Sequence, residues 1–364
     1  MIDFAPTEEQ AAIRDLARQI AMEQFRKLAR PADEACITPD SLLELLGQTG
    51  LLSPFPETSG GAGVQSAVTH ALLAEELAHG DGGLGLSYIG ALLPGLAVLI
   101  AGTEAQQQAL LPRCSDGGVA GSLGWSEPTS GLDARETQTT LDASSGALAV
   151  AGSKRGVVHG VAGGLRVVTA REGGAAGLDG LRLVVLLDEA AGVTVAPEAA
   201  PLGLRAAPRA RLRLEHVAVS ASDVLGGPDA GAAGAQRFIA LANVLLGALA
   251  VGIARAALDY AADYAKGRVQ FGKPISSFQA IAFMAAEMAM ETDAARLLLW
   301  RAAYAWDGED AGALRRAERA RMQAVKVAQR VTTDAVQILG GAGFLQDHPV
   351  ELWMRDAEAL AALG

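Results

Sequence analysis

The sequence predicts an α+β protein in three parts: a helical N-terminal domain over 1–120, a middle β-barrel or β-sandwich domain over 121–227, and a C-terminal four-helix bundle over 228–364. Three observations carry this. Apolar residues recur at helical intervals through the first third. Short β-rich runs separated by Gly and polar turns fill the middle, with no long helix between them. Three long stretches of helical pattern then fill the end, and helices of that length pack as bundles.

Thr7 and Gln10 stand at capping-box spacing, and Ile13, Leu16, Ala17 and Ile20 follow at helical intervals, which predicts a first helix. Asp40 or Ser41 starts a second over LLELL, ending before Gly50. SPFPETSGGAG reads as a loop, 66–78 as a helix, and Thr103 as the N-cap of TEAQQQALLP, which Pro112 stops. In the middle, LAVAG, LRVVTA, LRLVVLLD, GVTVA and RLRLEHVAV are the strands. Arg211, Arg213 and Glu215 alternate with Leu212 and Leu214, the period of a half-buried strand. Lacking intervening helices, these runs predict an antiparallel sheet or barrel rather than a doubly wound parallel sheet. GGPDAGAAG (226–234) reads as a linker. Beyond it, 235–267 is apolar all round and so buried on several sides. Residues 276–306 and 313–339 are further helices, the last with Val325, Ala328, Thr332, Ala335, Val336 and Leu339 on one face.

Composition narrows the function. Half of the 364 residues are apolar and the formal net charge is −11, which argues against nucleic acid as a partner. Arg315, Arg316, Arg319 and Arg321 sit beside Glu318 in a helical pattern and read as a solvated face. Cys36 and Cys114 are far apart, without histidines at ligand spacing, so neither a disulfide framework nor a metal site is expected. MIDFAPTEEQ carries no secretory pattern. The apolar run 84–101 contains Gly85, Gly90, Pro94 and Gly95 and reads as broken helices, not a membrane span. A cytoplasmic location is expected.

Three stretches carry chemistry. The first is Trp125-Ser126-Glu127-Pro128-Thr129-Ser130-Gly131-Leu132-Asp133, a turn whose hydroxyls and amides can face a ligand. The second is Arg268-Val269-Gln270-Phe271-Gly272-Lys273-Pro274, with Gln279 opening the next helix. Arg268 and Phe271, three apart, are expected on one helix face, where a guanidinium suits phosphate and the ring suits a planar apolar edge. A plain helix terminus explains the Gly and Pro but not the convergence of Arg, Phe and Gln. The third is Gln337-Ile338-Leu339-Gly340-Gly341-Ala342-Gly343-Phe344, followed by His348-Pro349 and Trp353-Met354-Arg355-Asp356-Ala357. Its glycines end a helix and let backbone approach a ligand closely.

In this order and spacing the three stretches resemble the signatures of the acyl-CoA dehydrogenase family, as do LLELLGQTGLLSPFPETSGGAG and GTEAQQQALLPRCSDG. The resemblance spans nearly the whole chain. It implies an acyl-CoA dehydrogenase-like fold and an FAD held between subunits of a dimer or tetramer. It implies too an acyl-CoA or acyl-carrier thioester substrate, and a flavoprotein as electron acceptor. It places Trp125, Ser126, Gly131, Leu132, Gly156 and Val158 beside a chain's own flavin. Leu132 and Asn243 fall beside the substrate. Arg268, Phe271, Gln279, Gln337 and Gly341 reach the flavin of the neighbouring subunit.

The chain departs from that pattern where the reaction is most demanding. Removing a proton made only modestly acidic by a thioester needs a carboxylate against the α-carbon. The family base lies nine residues after the Arg of Arg-Asp-Ala, which arrives at Gly364, or on the long helix, which arrives at Ala242 beside Asn243. Neither is acidic, and Glu127 belongs to the flavin-side turn. The family's Lys-x-Trp-Ile-Thr/Ser appears as Lys154-Arg155-Gly156-Val157-Val158, and its Gly-Ser-Asp as Gly131-Leu132-Asp133. Ser126 is retained in a family Thr position, and the groups serving a neighbour's FAD are intact, whereas those serving the chain's own flavin ring and substrate are lost. Three readings stay open: a working α,β-dehydrogenase, a non-catalytic partner subunit in a heteromer, and a base-independent elimination on an acyl-CoA. In the second, a homo-oligomer of this chain holds FAD weakly or not at all.

Overall fold

A computed structural model describes residues 5–56, 63, 66–114, 121–144, 147–162, 164–175, 177–187 and 190–363. The first helix, α1 (Glu8–Ile20), opens on the expected capping box of Thr7 and Gln10. It does not stop at Ile20. A π turn (Ala21–Phe25) leads into α2 (Arg26–Ala35), which contains Pro31 and ends with Cys36 in a left-handed conformation. There follow α3 (Asp40–Gln48), α4 (Ala67–Gly80, capped by Ser66), α5 (Gly82–Ala101) and α6 (Glu104–Leu110, capped by Thr103).

The run 84–101 is one continuous helix, not the broken helices expected. Its glycines serve close packing instead. A Cβ at Gly90 would lie 2.4 Å from a Val158 methyl, so the missing side chain lets the middle domain press onto α5. Both α5 and residues 231–267 are long and apolar enough to cross a membrane, but 89% and 94% of those windows are buried within the fold, which makes them core helices.

The middle domain comprises β1 (Gly121–Gly124), β2 (Thr140–Ser144), β3 (Ala147–Val158), β4 (Leu165–Glu172), β5 (Leu181–Leu186), β6 (Val193–Pro197) and β7 (Arg209–Val219). The sheet runs β1-β4-β2-β3-β7-β6, with β5 also on β4. It is mixed rather than purely antiparallel, because β4 pairs parallel with both β1 and β2. Side chains alternate between two cores. Leu165, Val167, Leu183 and Val185 face the helices, while Val168, Ala170, Val184 and Leu186 pack with Val150, Leu212 and Val217 inside the domain.

The first helix of the C-terminal bundle begins within the stretch read as a linker. Residues 227–234 are not a linker but the first turns of α7 (Gly227–Gly267), which runs about 60 Å. A Cβ at Gly234 would meet Ala101 at 2.9 Å, so small residues here allow a crossing rather than flexibility. A hairpin follows (β8, Val269–Gln270; β9, Lys273–Pro274), then α8 (Gln279–Asp307), α9 (Ala313–Leu339) and α10 (Val350–Ala361). On α9, Val325, Ala328, Thr332, Ala335 and Leu339 are buried as the spacing required, with Val336 half-buried.

Two fully buried acids tie α10 to the start of α5. Asp81 caps α5 by accepting from the Leu84 amide (2.8 Å). Asp356 accepts from the Leu204 amide (2.5 Å), and its other oxygen lies 2.8 Å from where a Cβ on Gly82 would be. Burial pushes the Asp81 carboxyl up to about 6, with Asp33 adding to it and the Leu84 amide opposing, and burial beside Asp81 raises Asp356 strongly. Between about pH 4 and 6 the folded chain therefore keeps protons that the unfolded chain releases, so stability falls as pH rises through that window. Asp81→Asn, which keeps the capping oxygen, should raise the melting temperature at pH 7.5 by about 2–6 °C and leave it unchanged at pH 4. Thermal unfolding at the two pH values checks this.

Candidate functional site

The Trp125–Asp133 turn closes on itself: the Glu127 amide donates to the Gly131 carbonyl and the Gly131 amide to the Glu127 carbonyl, both at 3.1 Å. Gly131 sits at φ +55, where a side chain would strain the turn. The Glu127 carboxylate points inward. It accepts from the Gln138 amide (2.6 Å), the Thr139 amide (3.0 Å) and hydroxyl (2.7 Å), and the Lys154 ammonium (2.6 Å), which also donates to the Thr169 hydroxyl (2.8 Å). Burial pulls Lys154 down to about 8 against the attraction of Glu127. Burial pushes the Glu127 carboxyl up, but Lys154 and the other donors outweigh it and hold it below its usual value. This carboxylate is spent on structure.

Above it lies a small cavity of about 60 Å³ lined by Leu86, Gly90, Trp125, Ser126, Leu132, Gly156, Val158, Leu246 and Leu363, among others. Every predicted own-flavin residue except Gly131 borders it. No carboxylate does, among the described residues. The turn after α10 reaches into it: the Ser126 hydroxyl donates to the Leu363 carbonyl (3.3 Å), Arg155 donates to the Ala362 carbonyl (3.3 Å), and a Cβ on Gly156 would touch Leu363 at 3.6 Å. Gly156 has φ +61, a conformation that disfavours the family's Trp. The buried Trp125 indole N–H has no acceptor among the described residues.

The second and third stretches meet elsewhere. Arg268, Phe271, Gly340, Gly341, Tyr264 and His348 line an open cleft of about 750 Å³ on the bundle. Arg268 and Phe271 do not share a helix face as expected. Helix α7 ends at Gly267, and the Phe271-Gly272 pair turns the hairpin with φ +54 and +83, the backbone of a tight two-residue turn. Phe271 is 92% exposed, touching the Phe278 ring edge-on with centroids 6.3 Å apart. The turn accounts for the backbone, but an aromatic ring so exposed is unexplained by the packing of this chain. A Cβ at Gly340 or Gly341 would meet nothing within 4 Å, so the helix end is open to an approaching group. Gln279 and Gln337, the first residue of α8 and part of the last turn of α9, are both exposed.

Ala242 is wholly buried in α7. Asn243 is buried beside it with its carboxamide committed: it accepts from Arg321 (2.7 Å) and donates to the Ile239 carbonyl (2.8 Å), which leaves its amide hydrogen-bonded inside the bundle and off the small cavity. Gly364 lies outside the described residues. Sequence reasoning missed Tyr264 in the cleft, where the one-turn spacing to Arg268 was a usable signal. It also missed Arg155, Leu246 and Leu363 around the small cavity, which only the tertiary fold brings together.

Helical, mixed-sheet and helical domains in this order, with a flavin-side turn below and an Arg-Phe cleft on the bundle, define a flavoprotein dehydrogenase scaffold. The comparisons agree along the whole chain. Residues 7–118 match the N-terminal domain of acyl-CoA dehydrogenase, 122–217 its middle domain and 229–364 its C-terminal domain. The chain belongs to the acyl-CoA dehydrogenase family. It is 35% identical to the probable acyl-CoA dehydrogenase YngJ of Bacillus subtilis, covering 99% of this chain and 95% of that one. It is 34% identical to the probable acyl-CoA dehydrogenase FadE25 of Mycobacterium tuberculosis over 98% and 91%. Its fold superposes on butyryl-CoA dehydrogenase from Megasphaera elsdenii with a TM-score of 0.88, 32% identity and coverage of 99% and 95%.

The family's cofactor is FAD, and the two sites fit it unequally. The bundle cleft offers a cation, an exposed ring and open backbone, which suit a nucleotide diphosphate. On the ring side, the small cavity is mostly apolar, narrowed by Leu363 against Gly156, and offers neither an aromatic ring from Gly156 nor a hydroxyl from Val158 or Leu132. The Glu127–Lys154 pair yields a separate prediction. Lys154→Met leaves a buried carboxylate uncompensated and should cost about 3–5 kcal/mol in chemical unfolding, much of it recovered in Glu127→Gln/Lys154→Met. A neutral single variant would contradict the assignment.

Proposed function

We propose that this chain is a non-catalytic partner subunit of a heteromeric acyl-CoA dehydrogenase. It contributes the bundle cleft to an FAD whose ring, base and acyl-CoA lie on another polypeptide. The observation that carries this is the split between its two half-sites: Arg268, Phe271 and Gly341 converge on an open cleft, while the ring side is a filled, apolar cavity without a carboxylate.

In this role Arg268 pairs with phosphate oxygens, where a guanidinium forms charge-assisted bonds. Phe271 covers a planar edge, its backbone set by the hairpin turn. Gly340 and Gly341 let the α9 terminus come close, while Gln279 and Gln337 are exposed at the adjoining helix ends but do not line the cleft. FAD supplies hydride acceptance when bound; among the described residues, no carboxylate borders the small cavity to take the substrate's proton. The assembly works on a thioester in the cytoplasm and passes its electrons to a second flavoprotein.

The nucleotide half is testable in isolation. ADP, as the probe, should bind the purified chain in a calorimetric titration, and riboflavin should not. Arg268→Ala should weaken ADP roughly tenfold while leaving the melting temperature unchanged, because Arg268 is exposed. Binding of riboflavin without ADP would overturn the reading.

A further inference from the structure

His348 borders the bundle cleft together with Tyr264, Arg268 and Phe271. It follows the exposed residues 344–347, and its amide donates to the Leu345 carbonyl (3.1 Å) just before α10 begins. Its half-buried imidazole is held from several sides. The Tyr260 hydroxyl lies 2.8 Å from Nδ1. Tyr260 and Tyr264 both meet the ring edge-on, with centroids 6.0 and 5.7 Å away. Tyr260 in turn packs edge-on against Trp353 (5.9 Å), over which the Arg26 guanidinium sits at 4.7 Å. An imidazole fixed in this way has little freedom left to lose when a ligand arrives.

The position of this ring relative to Arg268 follows from α7. Tyr260, Tyr264 and Arg268 recur every four residues, which keeps them on one side of the helix end, and the Arg268 amide still donates to the Tyr264 carbonyl (2.8 Å). Nδ1 is engaged by Tyr260, whereas Nε2 has no partner among the described residues. When the Tyr260 hydroxyl donates to Nδ1, Nε2 carries the ring proton and is a donor. A second proton makes both nitrogens donors and adds a positive charge beside the cleft.

The charges around it leave that role open. From α7 come Tyr260, Tyr264 and Arg268, from the preceding residue the exposed Asp347, and from behind Trp353 the Arg26 guanidinium of α2. Other carboxylates on α7 and α10 are engaged elsewhere: Asp259 by His79, Asp263 by Lys266, and Glu351 by Arg30 and Arg355. Packing accounts for a ring at this position, but not for a ring nitrogen left unpaired at the edge of an open cleft.

We propose that His348 is the second phosphate-binding group of the cleft, its Nε2 donating to a nucleotide diphosphate beside Arg268, so that nucleotide binding tightens as the imidazole takes up its second proton. This rests on the reading of the cleft as a nucleotide half-site. Protonation sets a positive charge against an anion, so affinity rises as pH falls.

The test is calorimetric titration of the purified full chain with ADP-ribose at about pH 8 and about pH 6. Both phosphates of ADP-ribose are esterified on two sides and keep their charge over this range, whereas a terminal phosphate such as that of ADP gains a proton near about pH 6. Affinity should rise roughly fivefold or more at the lower pH. His348→Gln, which keeps a donor but cannot take a charge, should gain less than about twofold. His348→Phe, which keeps the edge-on contacts with Tyr260 and Tyr264 but no nitrogen, should lose the gain as well, and serves where the Gln variant does not fold. Adenosine, without phosphates, should show no gain. The inference is overturned by equal affinity at the two pH values, by a gain that persists in either folded variant, or by an equal gain for adenosine. Each of those results leaves the nucleotide reading of the cleft standing. Failure of ADP-ribose to bind at either pH overturns that reading, and this inference with it.

Discussion

The buried pair of Glu127 and Lys154 is the contact on which the middle domain depends. A carboxylate and an ammonium, both out of water, are tolerated only with their remaining hydrogen-bonding positions filled. Here Gln138, Thr139 and Thr169 fill them, so one pair ties the turn after β1 to β2, β3 and β4. That tie holds Ser126 and Leu132 at the edge of the small cavity and orients β3, which ends in Gly156 and Val158. Removing either charge alone exposes the other to an apolar interior, which explains why Glu127 and Lys154 persist in a chain whose neighbouring flavin contacts have changed.

Around that fixed point the chemistry divides. On the ring side, Gly156 lacks the area to cover a flavin, Val158 and Leu132 lack hydroxyls, and Leu363 occupies the space against Gly156. On the bundle side, the hairpin turn presents Phe271 with its ring 92% exposed, and the helix end at Gly340 is open. The first site is filled; the second is open. An exposed ring beside an exposed Arg is not accounted for by this chain's own packing, and a shared nucleotide is the ligand proposed for it.

The sequence made the three-part architecture legible because its periodicities are strong: the α9 face from Val325 to Leu339, the capping boxes at Thr7 and Thr103, the strand alternation around Leu212. It misled wherever small residues were taken as breaks. Gly90 within α5 and Gly234 within α7 are places of close helix or sheet approach, and approach distance is a tertiary quantity that composition does not carry. The π turn and Pro31 hid the continuation of α1 into α2. Among site residues, the convergence of Arg268, Phe271 and Gly341 was readable from motif spacing, but the hairpin that carries Phe271 was not. The filling of the small cavity by Leu363 joins residues over two hundred positions apart and has no local signature.

The central claim is that this chain serves a flavin it cannot use alone. The direct measurement is the visible spectrum of the purified chain, together with its turnover of a saturated acyl-CoA with an artificial electron acceptor. The account predicts a colourless protein without turnover, both appearing only in complex with a second family subunit. Stoichiometric FAD and dehydrogenation by the chain on its own would contradict it.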